Sequence, residues 1–296
     1  MISPRRLKWA FGGCKPQGQL VLSSLLNEGL VPEFIALLDE IPDEEKSVFE
    51  SLAKSHSIRF FTTQNLSEET ETLETLDLLL TCRFSLLKKS VFARPRLGSV
   101  NIHSSLLPAY RGVHPVTWAI VNGESETGIS IHKINDGIDT GDILIQRRTA
   151  ILEEDNFHTL NNRLNKLSAE AAIALFAEIE RLGALPKSQS QTSEKLFYAR
   201  RRNPEDSRID WNLPSRRICD LVRALPPPFP PAFCHRQDSS VIKVRSYVGR
   251  SNFGGGQPGR VIADTRVASP VRRISTTDGS IEIEFDIAPE IGELLA

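Results

Sequence analysis

The chain is predicted to be an α/β protein, with a Rossmann-like, mostly parallel sheet followed by a smaller, β-rich C-terminal domain. Three observations favour this class. Apolar runs alternate with helix-like segments through the first half, which is typical of a parallel sheet wrapped by helices. One of these runs, LDLLLTC, is almost wholly apolar, as expected for a strand covered on both faces. The last third shows short strand-like runs and a hairpin signal, Asp278-Gly279.

The elements are assigned in chain order from these patterns. In the first half, strands are predicted at LKWAFGG, VPEFIALLD, IRFFTT, LDLLLTC and SVNIH, with helices at QLVLSSLLNEG and DEEKSVFESLAKSH. GISIHKI and DILIQRR are predicted to be a strand pair, and a long helix follows around 155–182. The remainder predicts a short helix at RRICDLVRAL, a proline-stiffened break at PPPFPPAF, and strands in SSVIKVRSYV, PGRVIAD and VRRISTTDGSIEIEF.

These elements suggest a catalytic domain over 1–190, a polar linker over 191–212 and a β-rich domain over 213–296, with the two domains joined near residue 205. Hydrophobic residues make up 40% of the 296, which is a globular composition. The formal net charge of -1 gives no overall attraction to nucleic acid or anionic membrane. The four cysteines are scattered without a Cys-x-x-Cys pair, which fits a reducing cytoplasm better than a disulfide framework or a zinc site.

The stretch VNIHSSLLPAYRG, residues 100–112, combines a strand end with a loop that contains proline and glycine. Asn101 and His103 are two residues apart, so they lie on one face of the strand. Ligands of open parallel sheets bind at the carboxyl ends of strands. An amide and an imidazole there can stabilise a carbonyl oxygen as negative charge develops, and the imidazole can move a proton.

A carboxylate to accompany this pair is offered by NDGIDTGDIL, which contains Asp136, Asp139 and Asp142. The spacing by itself also fits simpler interpretations. A histidine at a strand end is more often structural than catalytic, and aspartates among glycines usually form turns. His132 is expected on the surface of the sheet, and the run Arg200–Arg202 is expected to be solvated.

The wider context resembles the formyltransferase family that uses formyl-tetrahydrofolate. The resemblance lies in NIHSSLLPAYRG, in HPVTWAIVNGESETGISIHKINDGIDTGDIL, and in RRRNPEDSRIDW, LVRALPPPFPPAF and PGRVIADTRV. The family pattern is Asn-x-His, Ser-Leu-Leu-Pro and Arg-Gly, with an Asp-x-Gly loop about 36 residues after the histidine, where Asp139 stands. The resemblance implies a formyltransferase fold with an OB-like C-terminal domain, and a catalytic group of Asn101, His103 and Asp139.

The same resemblance implies N10-formyl-tetrahydrofolate as cosubstrate, with no metal. The apolar fourth strand and the segment after it are expected to flank the pterin. The residues expected to bind this cosubstrate are Cys82, Arg83, Phe84, Asp136, Gly137 and Asp142. Those expected to bind the acceptor substrate are Ser105, Arg111 and Gly12, with Arg111 near its phosphates.

The acceptor amine is predicted from charge. Methionyl-tRNA formyltransferases commonly carry a basic insertion after the second strand, whereas here residues 39–50 contain six Asp or Glu and one Lys. Such a segment repels the phosphates that tRNA binding depends on. A nucleotide-linked amino sugar is therefore the favoured acceptor and methionyl-tRNA the alternative, with a catalytically silent binding protein of the same fold left open. No membrane association is expected, and a homodimer is allowed for.

Overall fold

The computed structural model of the protein describes residues 6–66, 70–192, 197–252, 256–264 and 270–296. Parts of two predicted segments lie outside these ranges, namely 193–196 of the linker and 265–267 of PGRVIADTRV. The chain divides into two compact units. The first consists of 1–112, 127–149 and 162–198, and the second of 113–126, 150–161 and 199–296.

The first unit is built on a seven-stranded sheet. The strands of the first two-thirds of the chain are β1 (Trp9–Gly13), β2 (Phe34–Leu37), β3 (Arg59–Thr62), β4 (Leu78–Cys82), β5 (Ser99–His103), β6 (Arg111–Gly112), β7 (Glu126–Lys133), β8 (Ile143–Ala150) and β9 (Tyr198–Ala199). The strand order is β3-β2-β1-β4-β5-β7-β8. The first five strands pair in parallel, and β7 pairs antiparallel with β5. The predicted mostly parallel sheet is confirmed.

The helices of the chain are α1 (Lys15–Asn27), α2 (Asp43–Ser55), α3 (Thr63–Leu66), α4 (Thr70–Glu74), α5 (Lys89–Phe92), α6 (Pro115–Val121), α7 (Phe157–Leu182) and α8 (Ser215–Arg223), with a 3₁₀ turn at Pro204–Ser207. Helix α1 has Pro16 in its first turn and is followed by Gly29, whose φ of 75° suits the left-handed end of a helix. The predicted end at Gly29 agrees with the structure, whereas the predicted start at Gln19 is four residues too late, because the first turn at Lys15 and Pro16 was not recognised.

The central strands are apolar because both faces of the sheet are covered. All five residues of β1 and of β4 are buried. On one side, Phe34 meets Phe61 edge to face with ring centroids 5.0 Å apart. On the other, Trp9 contacts Phe176 of α7 at 4.6 Å. Burying side chains of this size contributes about 2 kcal/mol each, so this core holds the strand ends in fixed relation.

The second unit contains a five-stranded antiparallel sheet. Its strands are β10 (Phe233–His235), β11 (Val241–Ser251), β12 (Val261–Asp264), β13 (Val271–Thr276) and β14 (Gly279–Phe285), in the order β10-β11-β14-β13-β12. The predicted hairpin at Asp278-Gly279 is confirmed. A Cβ at Gly279 would lie 2.2 Å from the Ser251 carbonyl oxygen, so this turn requires glycine. Asp278 also accepts the Ser215 N–H, at 2.8 Å, and so caps α8.

The predicted fold class, a mostly parallel α/β sheet with a smaller β-rich domain, is thus confirmed. Within the described ranges, none of the helices combines the length and apolar character that a membrane crossing requires.

Candidate active site

The candidate site lies at the carboxyl end of β5. Asn101 and His103 point to the same side of this strand because they are two residues apart. The parallel neighbour β4 places Thr81 opposite Asn101. The Thr81 hydroxyl donates to Asn101 Oδ1 at 3.0 Å. This bond fixes the orientation of the amide group, so the Asn101 nitrogen is left to donate to other groups in the site.

His103 is buried, with 7% of its surface exposed. Its Nε2 lies 2.8 Å from the Tyr110 carbonyl oxygen. Because a carbonyl can only accept, Nε2 carries the proton, and Nδ1 is left facing Asp139 Oδ2 at 3.5 Å. Burial lowers the pKa of His103 below its ordinary value, although the Asp139 charge and the Tyr110 carbonyl oppose this. The imidazole is therefore neutral near pH 7.

Asp139 completes the predicted trio. Its Oδ2 accepts the Gly112 N–H at 2.9 Å, and its Oδ1 lies 3.4 Å from Nε2 of His132. Burial raises the pKa of the Asp139 carboxyl, but His103, His132 and the Gly112 N–H outweigh it and lower the pKa to about 2. Asp139 is thus a carboxylate throughout the physiological range. Gly112 reaches it with a φ of 101°, which glycine adopts without strain.

His132 is a member of the site that the sequence assignment missed. The expectation that it lies on the sheet surface is wrong, because it is only 3% exposed and directly faces Asn101 across the β5–β7 pair. Its Nδ1 donates to the Lys133 carbonyl at 2.8 Å. Its Nε2 lies 3.3 Å from Asn101 Nδ2 and 3.4 Å from Asp139 Oδ1, so His132 contacts both the amide and the carboxylate. His132 could have been assigned to the site only if the pairing of β5 with β7, and its register, had been known.

Six residues were expected to bind the cosubstrate: Cys82, Arg83, Phe84, Asp136, Gly137 and Asp142. Cys82 ends β4, and burial raises the pKa of its thiol to about 12. Arg83 has a φ of 56° and donates to Gln17 at 2.7 Å. The ring of Phe84 lies against Gly12, where a Cβ would be 3.1 Å away.

The three members on the Asp139 loop form a second group. Asp136 Oδ2 lies 3.7 Å from Nζ of Lys89, the first residue of α5. The loop that carries Asp136 is therefore close to the segment that joins Phe84 to α5. Thr140 packs closely against Gly137. A Cβ at position 137 would lie only 2.2 Å from the Thr140 hydroxyl oxygen. Hydrogen bonds from Ser188, Ser190 and Lys133 lower the pKa of Asp142, although burial opposes them. Whether these six residues contact a cosubstrate stays a prediction.

The residues expected to bind the acceptor are engaged within the protein. Ser105 is buried and donates to the Ala109 carbonyl at 2.7 Å. Arg111 is 7% exposed, and its Nε and Nη2 donate to Gln191 at 3.0 and 2.7 Å. Gly12 lies in β1 beside Phe84. Their contact with an acceptor also stays a prediction.

Chemically, the site presents an oriented amide N–H, a neutral imidazole and an ionised carboxylate at a strand end. This set suits acyl transfer to an amine, since it can stabilise an oxyanion and relay a proton. Among the residues that the structure describes, no group of three or more His, Cys, Asp or Glu side chains is arranged to hold a metal ion.

Solved structures with the same fold are known. WlaRD, a sugar 3N-formyl transferase, is 20% identical, with 94% of this chain and 96% of that chain covered and a TM-score of 0.68. An N-formyltransferase from Helicobacter canadensis is also 20% identical, with 94% and 98% covered and a TM-score of 0.69. HypX from Aquifex aeolicus is 19% identical, with 94% and 43% covered and a TM-score of 0.62. At these identities the likeness establishes the fold.

The family follows from the sequence itself. Residues 46–175 match the model of the formyl transferase family, and residues 202–289 match that of the formyl transferase C-terminal domain. The first match spans Asn101, His103 and Asp139, which the fold gathers at one strand end. The predicted resemblance and enzyme class are therefore confirmed, and the chain belongs to the formyltransferase family.

Proposed function

We propose that this formyltransferase transfers a formyl group from N10-formyl-tetrahydrofolate to the primary amine of a nucleotide-linked amino sugar. The cluster of Asn101, His103 and Asp139 carries the proposal. WlaRD was solved with dTDP and 5-N-formyl-THF, and the Helicobacter canadensis enzyme with folinic acid and dTDP-3-aminofucose. HypX was solved with tetrahydrofolic acid. These ligands support a folate cosubstrate and a nucleotide amino sugar for this chain.

Asn101 is suited to stabilise the charge that forms on the formyl oxygen. The amine lone pair attacks the formyl carbon, and the C=O electrons move to oxygen. Because Thr81 donates to the amide oxygen and the contact with His132 can involve only one of the two amide protons, the other N–H of Asn101 can meet this oxyanion. One such donor is worth about 3 kcal/mol of transition-state stabilisation.

His103 and Asp139 are suited to move the proton. The attacking nitrogen must lose one proton, and N10 must gain one when its bond to the formyl carbon breaks. The neutral His103 can accept the proton at Nδ1, and the Asp139 carboxylate 3.5 Å away stabilises the resulting imidazolium. The imidazolium then donates to N10, so both groups end the cycle as they began.

The choice of acceptor is supported by the charge of α2. Its first turn carries Asp43, Glu44 and Glu45, in the region where a tRNA-binding enzyme needs positive charge. Binding a tRNA stem uses several Lys or Arg contacts to phosphate. A nucleotide sugar presents only a diphosphate, for which one or two arginines suffice.

The test is an assay of formyl transfer from N10-formyl-tetrahydrofolate to a panel of nucleotide amino sugars and to methionyl-tRNA, at several salt concentrations. We expect formylation of at least one amino sugar and little of methionyl-tRNA. Tight, steeply salt-dependent binding and formylation of methionyl-tRNA, with no amino sugar accepted, would establish the alternative function. Folate binding without transfer to any acceptor would favour the silent binding protein.

The proposal includes the predicted organisation. Residues 1–190 form the catalytic domain, 191–212 the linker and 213–296 the β-rich domain. The protein acts in the cytoplasm, a location that its four free cysteines support. A homodimer belongs to the same prediction, and light scattering of the purified chain tests it.

A further inference from the structure

The segment Ser188–Gln191 lies along the loop that carries Asp139, and we call this segment the brace. Gln189 exchanges two backbone hydrogen bonds with Ile143, each 2.8 Å long. The hydroxyls of Ser188 and Ser190 donate to the Asp142 carboxylate at 3.0 and 3.2 Å. The brace is thus joined to the loop by both backbone and side chains.

Gln191 makes the contacts closest to the catalytic carboxylate. Its Nε2 donates to the carbonyl oxygens of Asp139 and Gly141, at 3.0 and 2.5 Å. Its Oε1 accepts Nε and Nη2 of Arg111, at 3.0 and 2.7 Å. Both amide protons and both lone pairs are therefore used, and one side chain links Arg111 to the backbone on either side of Thr140.

The loop has a shape that needs such support. Asp139 adopts a φ of 52°, a left-handed conformation that costs energy for a residue with a Cβ. Gly141 passes so close to β7 that a Cβ would lie 1.8 Å from the Lys133 carbonyl oxygen. A displacement of about 1 Å in a reacting geometry can cost about a hundredfold in rate. The Asp139 carboxylate, 3.4–3.5 Å from two histidines, is sensitive to such a shift.

We propose that Gln191 and Arg111 are positioning residues, which hold Asp139 at His103 through the backbone of its loop. The inference rests on the proposed formyl transfer for its kinetic consequence. It assigns buried Arg111 a role through Gln191, in place of a direct contact with the diphosphate of the acceptor.

The first test is Gln191→Glu, with Thr192→Ala as the matched control. Glutamate keeps an oxygen for Arg111 but has no N–H for the carbonyls of Asp139 and Gly141, so the fold is retained while the loop is released. We expect kcat to fall about 10- to 100-fold, with the KM of each substrate within about twofold and the melting temperature near wild type. Thr192 is exposed beside the brace, and its variant should behave as wild type. Unchanged kcat in Gln191→Glu would overturn the proposal.

A double-mutant cycle separates the two roles of Arg111. If Arg111 acts through Gln191, then Arg111→Lys should lower kcat, and combining it with Gln191→Glu should add little further loss. If Arg111 binds the diphosphate, Arg111→Lys should mainly raise the KM of the acceptor, and the two effects should multiply. The second result would overturn the assignment of Arg111.

Hydrogen exchange of the amides of residues 137–142 tests the positioning without any substrate. We expect faster exchange of these amides in Gln191→Glu than in wild type and Thr192→Ala. If wild type formylates no acceptor, the proposed function fails, yet this exchange difference still supports the brace. Equal exchange in all three proteins would overturn the brace whatever the reaction proves to be.

Discussion

The end of β5 and the segment Arg200–Arg202 both carry charged or polar side chains, but the sequence predicts a catalytic site at the first and a solvated run at the second. At β5, Asn101 and His103 face a histidine and a carboxylate from other parts of the chain. In the arginine segment, the guanidiniums of Arg200 and Arg202 lie 5.1 and 5.2 Å from the Trp118 ring centroid.

The two regions differ in the groups that their side chains contact. Arg200 pairs with Asp206 through both terminal nitrogens, and the Trp118 N–H donates to the Arg200 carbonyl at 2.8 Å. Burial lowers the pKa of Arg202, although the Asp206 charge opposes this. The expectation of a solvated run is wrong for Arg202, which is largely covered and packs on an aromatic ring. The first region gathers the side chains proposed to carry the reaction, whereas the second packs arginine side chains on an aromatic ring, a contact that stabilises the fold.

The largest expected effect concerns the β5 end. His103→Ala should lower kcat by about two orders of magnitude or more, because the proton relay is lost. His103→Ala should still fold, since the apolar side chains of β4 and β5 form the core of the sheet without the imidazole. Arg200→Ala is the matched control from the other region and should keep the wild-type kcat. Near-normal turnover of His103→Ala would show the histidine to be structural.

The next effect concerns the arginine segment. Trp118→Ala should lower the free energy of unfolding by about 3 kcal/mol, since a buried aromatic ring and its cation–π contacts are removed. Trp118→Phe keeps a ring and should cost about 1 kcal/mol, mainly for the lost N–H bond. Denaturant unfolding measures both variants. A loss of kcat in the folded Trp118→Phe protein would contradict a purely stabilising role.

The smallest effect is a pH dependence that arises in the β5 site. The pKa of Asp139 is lowered from 3.8 to about 2, so its charge adds stability above pH 4 that is lost as the pH falls toward 2. This linkage amounts to about 2 kcal/mol. Asp139→Asn should remove it, so the free energy of unfolding should depend less on pH in this window. An unchanged pH dependence would mean that Asp139 is not the linked group.

Much of the fold was predictable because local patterns and global structure agree. Almost wholly apolar runs such as the one that forms β4 are typical of strands covered on both sides, and Gly29 and Gly279 mark the ends of elements where L-residues with side chains are strained. Asn101 and His103 were predictable as a pair because the two-residue period of a strand places them on one face.

What only the tertiary structure decided is which distant groups meet these side chains. His132 joins the site because the antiparallel register of β5 and β7 sets it opposite Asn101, and a slip of one residue would turn it away. Arg111 became a partner of Gln191, 80 positions along the chain, because a buried guanidinium must find acceptors wherever the packing supplies them. Local sequence determines the backbone conformation and the face of the strand on which a side chain lies. The hydrogen-bond partners of that side chain depend on long-range packing, which no short sequence pattern encodes.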